Sequence, residues 1–148
     1  MRRRHDWSVW LDREIQIWQN RPFKWGESDC VSFANACIAA MRIGQKGPMD
    51  DIVSQWDSKK SAYQNLKKGI KTKDGKVIKA DTLGEIVTAF LGEPKDAPYG
   101  HRGDVVLVEA DDTQLVAVID NSGYRMKAMS EDGLITLPTR MGKCAWLI

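Results

Sequence analysis

The spacing of apolar residues changes at Gly103, and that change constrains the fold more than any other feature of the chain. Before it, apolar residues recur at threes and fours, as helical faces require. After it they alternate every second residue, as half-buried strands require. On the helical side, Trp7, Trp10, Leu11, Ile15 and Trp18 share a face and predict a helix over 6–19. Asp6 or Ser8 can cap it, and Asn20, Arg21 and Pro22 stop it. Residues 23–28 read as a loop, with Gly26 free to adopt backbone shapes that other residues resist. A second helix is expected from Asp29 to Ile43, capped by Ser28 or Asp29 and closed by Gly44. Thr82 to Leu91 reads as a short amphipathic helix ending at Gly92. Beyond Gly103, strands are expected at 105–108, 115–119, 124–129, 134–137 and 144–148. Asp111-Asp112, Asn121-Ser122-Gly123 and Asp132-Gly133 supply the turns between them. Helices followed by an antiparallel meander of about five strands define an α+β fold.

Residues 45–80 are the least regular third. They show helix-like patterning over 50–66, around Ile52, Val53, Trp56, Tyr63 and Leu66, and a turn signal at Asp74-Gly75. The length of 148 residues fits one domain over 1–148, with 1–5 as a basic arm and 45–80 as an irregular insertion. Charge is nearly balanced, 22 basic residues against 20 acidic ones, which speaks against a nucleic-acid binder. The basic cluster Arg2-Arg3-Arg4-His5 reads as a solvated terminus, or as a short arm for a phosphate or an acidic partner. No apolar run is long enough for a membrane span or a signal-peptide core, so a cytoplasmic site of synthesis is expected. Three cysteines without CxxC spacing indicate neither a disulfide framework nor a zinc site.

Cys30 is the candidate nucleophile. It stands at the start of the second helix, where main-chain N–H groups and the helix dipole favour a thiolate. The competing reading is a small buried apolar side chain. Cys37, two turns on, and Cys144, in the apolar tail, read as core. A cysteine nucleophile needs a base and a group to orient it. The chain has only His5, in the arm, and His101, three residues before Asp104, as imidazoles. His101 is a candidate base or a surface loop residue. Asp29 either caps the Cys30 helix or orients a base and shapes a pocket. Asp104 reads as satisfying nearby backbone donors. Asp111-Asp112, with Glu109 nearby, lacks the ligand number and loop pattern of a calcium site, so no metal and no cofactor are expected. Trp25 and Trp56 fall in irregular sequence and could wall a ligand cleft beside Cys30 or anchor a protein partner.

The segment from Phe23 through Trp25-Gly26-Glu27-Ser28-Asp29-Cys30 to Phe33 resembles the block around the catalytic cysteine of NlpC-type cell-wall peptidases. His101-Arg102-Gly103-Asp104-Val105-Val106-Leu107-Val108 resembles the strand that opens their β-meander. The Trp-rich first helix, these two motifs in order and the apolar tail from Cys144 to Ile148 are most similar to small NlpC-like proteins encoded in tailed-phage tail-gene clusters. The resemblance implies a papain-like fold with Cys30 at the nucleophile's place. It also implies a histidine opening the second strand, where this sequence has Leu115, and leucine cannot accept a proton.

Two functions follow as expectations. The first is a histidine-lacking peptidase fold working through contacts with other phage tail proteins in a tail tip, baseplate or tail assembly, in the virion after assembly in the host cytoplasm. The second is an active thiol hydrolase cutting peptidoglycan peptide bonds during phage entry, with Cys30 as nucleophile and His101 as base. A nucleic-acid-binding module, resting on the Arg2–Arg4 arm alone, is the weakest of the three.

Overall fold

The computed structural model describes residues 2–44, 46–110 and 113–148. Helix α1 (Trp7–Trp18) buries Leu11, Ile15 and Trp18, which recur at four and three along one face. Trp10, expected on that face, is only half-buried. Its indole N–H donates to Asp6 (3.0 Å), and its ring lies under the guanidinium groups of Arg4 (4.6 Å) and Arg13 (5.2 Å). Asp6 holds the N-cap position but spends its carboxylate on Trp10 and Arg4, so it does not cap the helix with its side chain.

Helix α2 (Cys30–Met41) packs against α1, with Trp18 and Phe33 edge to face at 5.4 Å between ring centroids. It ends at Met41, short of the expected Ile43, because Arg42 turns extended and bridges Arg3 while the Arg4 N–H donates to the Met41 carbonyl. Gly44, with φ 94°, lies beyond that end and does not close the helix. The helix expected over 50–66 is a run of turns followed by α3 (Lys59–Lys68). The turns are tied to α2. Asn35 donates to Asp50 (2.7 Å) and accepts from the Met49 N–H (2.8 Å), competing with a helical ladder. Helix α3 starts at a Ser58/Ser61 capping box, and a hairpin, β1 (Ile70–Lys71) with β2 (Val77–Ile78), follows around Asp74-Gly75. Helix α4 (Leu83–Leu91) is capped by Thr82 and ended by Gly92.

The remaining strands form one antiparallel sheet: β3 (Lys95–Asp96), β4 (Val105–Ala110), β5 (Thr113–Ile119), β6 (Arg125–Ser130), β7 (Gly133–Pro138) and β8 (Gly142–Trp146). Their spatial order is β3-β8-β4-β5-β6-β7. The sheet thus has six strands rather than about five. The last returns to the far side of β4 instead of extending the meander. Helices packed with antiparallel sheet make the architecture α+β. Alternation along the strands divides the core in two. Val105, Leu107, Val116, Val118 and Trp146 join the helices, whereas Val106, Val108, Ala117, Ile119 and Ala145 pack on the opposite face. The Asp111-Asp112 turn, and the metal reading attached to it, lie outside the described residues. No described helix is long and apolar enough to cross a membrane.

The basic arm is a solvated terminus only in part: Arg2 and His5 are exposed, but Arg3 is held. Arg3 donates to the Ile148 carbonyl (2.8 Å), the Arg102 carbonyl (2.9 Å) and the buried Asp104 carboxylate (2.9 Å), and its guanidinium covers the Trp7 ring at 4.2 Å. Asp104 also accepts the main-chain N–H groups of His101 and Ile148, in line with its reading as a partner of backbone donors. Arg3→Ala leaves that carboxylate with its charged partner gone. It is expected to lower stability by about 2 kcal/mol, read from urea unfolding of the two proteins.

Candidate functional site

The Trp25–Cys30 loop is organised around one carboxylate. Asp29 is buried, and its Oδ1 accepts the Ser32 N–H (2.8 Å) as the N-cap of α2. Its Oδ2 accepts the Gly26 N–H (2.8 Å) and the Trp56 indole N–H (2.7 Å). Asp29 therefore caps the helix and also ties the otherwise irregular 48–58 segment to the cysteine loop. No imidazole takes part. Gly26 has φ 81°, and a Cβ there would run into the Trp56 carbonyl. Ser28 Oγ donates to the Pro22 carbonyl (2.6 Å), closing the loop on itself. Phe23 and Trp25 pack edge to face, with centroids 5.1 Å apart.

These residues form one wall of a cavity of about 630 Å³. Trp25, Trp56, Asp29 and Cys30 all line it. Helix α3 adds Tyr63 and Leu66. The sheet adds Leu115, Met129, Ile135 and Leu137. The periodicity of 50–66 already singled out Tyr63 and Leu66. Nothing in the sequence marks Ile135 or Leu137 as cavity residues, because they arrive through the β6–β7 hairpin from a distant part of the chain.

Cys30 reverses the electrostatic expectation. Although it opens α2, it is 5% exposed, and burial pushes its thiol up to about 12. The nearby Val116 main chain works against this but does not win, and the neighbouring Asp29 charge adds to the rise. Desolvation therefore overrides the helix N-terminus. Cys30 in the folded protein is expected to resist iodoacetamide at pH 7.5 and to react readily once urea unfolds the chain. A rate matching the unfolded thiol at that pH would contradict the assignment. Because the folded thiol is raised, its contribution to stability is complete below the ordinary cysteine value of about 9. It is lost as pH climbs from there towards 12, where the unfolded thiol ionises and the folded one resists. Cys37 is fully buried and Cys144 partly so, both within the core.

His101 does not meet Cys30. Its side chain is 80% exposed, with Nδ1 3.6 Å from Asp104, and it is not among the cavity's lining residues. It belongs to the Ile119 end of β5, where the Gly103 N–H donates to the Ile119 carbonyl. Cys30 lies beside Val116, roughly 10 Å back along the strand. His5 is exposed on the arm. Where the family resemblance calls for a histidine, Leu115 lines the cavity instead. Glu109 is bound to Lys143 and Gln114, and among the described residues no group of His, Cys, Asp or Glu is arranged to hold a metal ion.

The fold and site together define a class: an α+β domain with a capped, buried cysteine in the wall of a largely apolar cavity. A family model described as a domain of unknown function (DUF6950) matches residues 2–148, and the chain belongs to that family. No curated protein matches it.

Proposed function

We propose that this chain is a binding domain that keeps a papain-like, NlpC-type architecture without its catalytic base. It would act in the tail tip, baseplate or tail assembly of a tailed phage through contacts with other tail proteins. The phage context rests on the resemblance carried by the Trp-rich first helix, the Trp25–Cys30 motif and the Arg102–Val108 strand. The observation that carries the loss of catalysis is the pairing of Cys30 with Leu115 in one cavity while His101 stands outside it. A buried thiol with no imidazole to take its proton has no route to the thiolate that attacks a carbonyl.

The test is a digestion of purified peptidoglycan and soluble muropeptides, with products followed by mass spectrometry. No release above a buffer control is expected. Release that disappears in Cys30→Ala would establish the rival thiol hydrolase, which the position of Cys30 at a cavity wall favours. For the phage role, this chain should be found by mass spectrometry in purified virions or tail-assembly intermediates. Phage carrying Cys30→Ala should remain infectious, and phage lacking the gene should not.

A further inference from the structure

The cavity lies where the sheet comes apart. Strands β4 and β5 are paired from Val105↔Val118 to Ala110↔Thr113, but among the described residues β5 and β6 share only Val118↔Lys127 and Ile119↔Met126. The Ile119 N–H donates towards β4, to the Asp104 carbonyl, so by the alternation of an antiparallel ladder the main-chain groups of Gln114 and Val116 face the other way. There no strand meets them. Val116 is fully buried beside Cys30 and does not border the cavity, which leaves both main-chain groups of Gln114 facing the gap. Gln114 is itself fixed. Its Oε1 accepts the Gly84 N–H (2.9 Å), and its Nε2 donates to Glu109 (2.9 Å).

The lining agrees with an opening between strands. Met129 belongs to the core on the helix side of the sheet, whereas Ile135 and Leu137 pack on the opposite face, yet all three border the same cavity. Its walls are largely apolar. Asp29 is buried with both carboxylate oxygens already bonded, and the other charged groups, Lys59, Glu131 and Asp132, are exposed residues. Such walls suit a large apolar side chain. They do not suit the carboxylates of an acidic cell-wall peptide, which would be buried without a cation.

From the interrupted ladder and the apolar cavity together, we infer that this site captures a short extended segment of a protein partner. The segment pairs as an added strand with β5 at Gln114 and places one large apolar or aromatic side chain between Trp25 and Met129. Main-chain bonds supply affinity and the pocket supplies selectivity, as in other strand additions. This rests on the proposed function, since the segment is held and not cut, and it names the kind of partner contact that function requires.

The experiment uses the blocked pentapeptide acetyl-Thr-Val-Phe-Val-Thr-amide and the full chain. Tryptophan fluorescence and the amide NMR signals of Gln114 and Leu115 report binding. Saturable binding that shifts both amides is expected. The same peptide N-methylated at its central residues should bind at least roughly tenfold more weakly. The version with aspartate in place of phenylalanine should also bind more weakly. Leu115→Trp, checked for folding by circular dichroism, should fill the cavity and abolish binding. No binding, or equal binding of the N-methylated peptide, overturns the strand-addition proposal and leaves the inert-thiol reading untouched. Binding followed by cleavage that requires Cys30 keeps the strand addition and overturns the loss of catalysis.

Discussion

Gly26→Ala is expected to be the most damaging small substitution in the cysteine loop, lowering stability by about 4 kcal/mol and the melting temperature by about 10 °C. Two effects add. A residue with a Cβ pays about 1–2 kcal/mol to hold a left-handed backbone such as the φ of 81° here. Its Cβ would also collide with the Trp56 carbonyl, which is main chain and cannot rotate out of the way. The loop must then move off Trp56, breaking the bond from the Gly26 N–H to Asp29. Differential scanning calorimetry measures the loss directly. As a control, Gly75→Ala, also at positive φ but with open space around it, should cost only the backbone part.

Asp29→Ala is expected to cost a similar amount, about 4 kcal/mol, by a different route. It removes no bulk that the core needs, but it strands three donors at once: the N–H groups of Gly26 and Ser32 and the indole of Trp56. Trp56 is 5% exposed, so its indole N–H finds little water in compensation. Urea unfolding followed by tryptophan fluorescence gives the size of the effect. Asp29→Asn, which keeps one acceptor oxygen, should recover part of it. In a Trp56→Phe background the penalty of Asp29→Ala should shrink, because one of the three stranded donors is gone. A penalty unchanged in that background would mean that the carboxylate acts only as the cap of α2.

How much of this could be read in the sequence depended on how local each cause is. Thr82 and Gly92 bound α4 because capping and termination are decided within a turn of the chain. The strands after Gly103 were legible for the same reason, since alternation is a local property. A helical period misplaces Trp10, because it cannot separate a tryptophan packed on a core from one stacked under arginines. The turns over 48–54 were invisible as turns because Asn35, on another element, holds them. At the site, the N-terminal position of Cys30 was evident, but the burial that governs its ionisation comes from a sheet and a third helix folded over it. The place of β8 beside β4 and the clamp of Arg3 on Asp104 are likewise settled by residues far apart in the chain, 101 positions in the case of the clamp.

That clamp has a bearing on the order in which the molecule takes shape. Arg3 is bound to a carbonyl 145 residues away and to a carboxylate 101 residues away, and Cys30 meets its neighbour only once β5 exists. On a ribosome, the tryptophan-rich helices emerge long before any strand that can cover them. Until then they present a bare apolar face to the surroundings. Closure of the longest loops comes late and sets a slow pace, milliseconds to seconds for chains dominated by distant pairings. The nascent helical half is therefore the stage most in need of a chaperone, and the cavity is among the last features to appear.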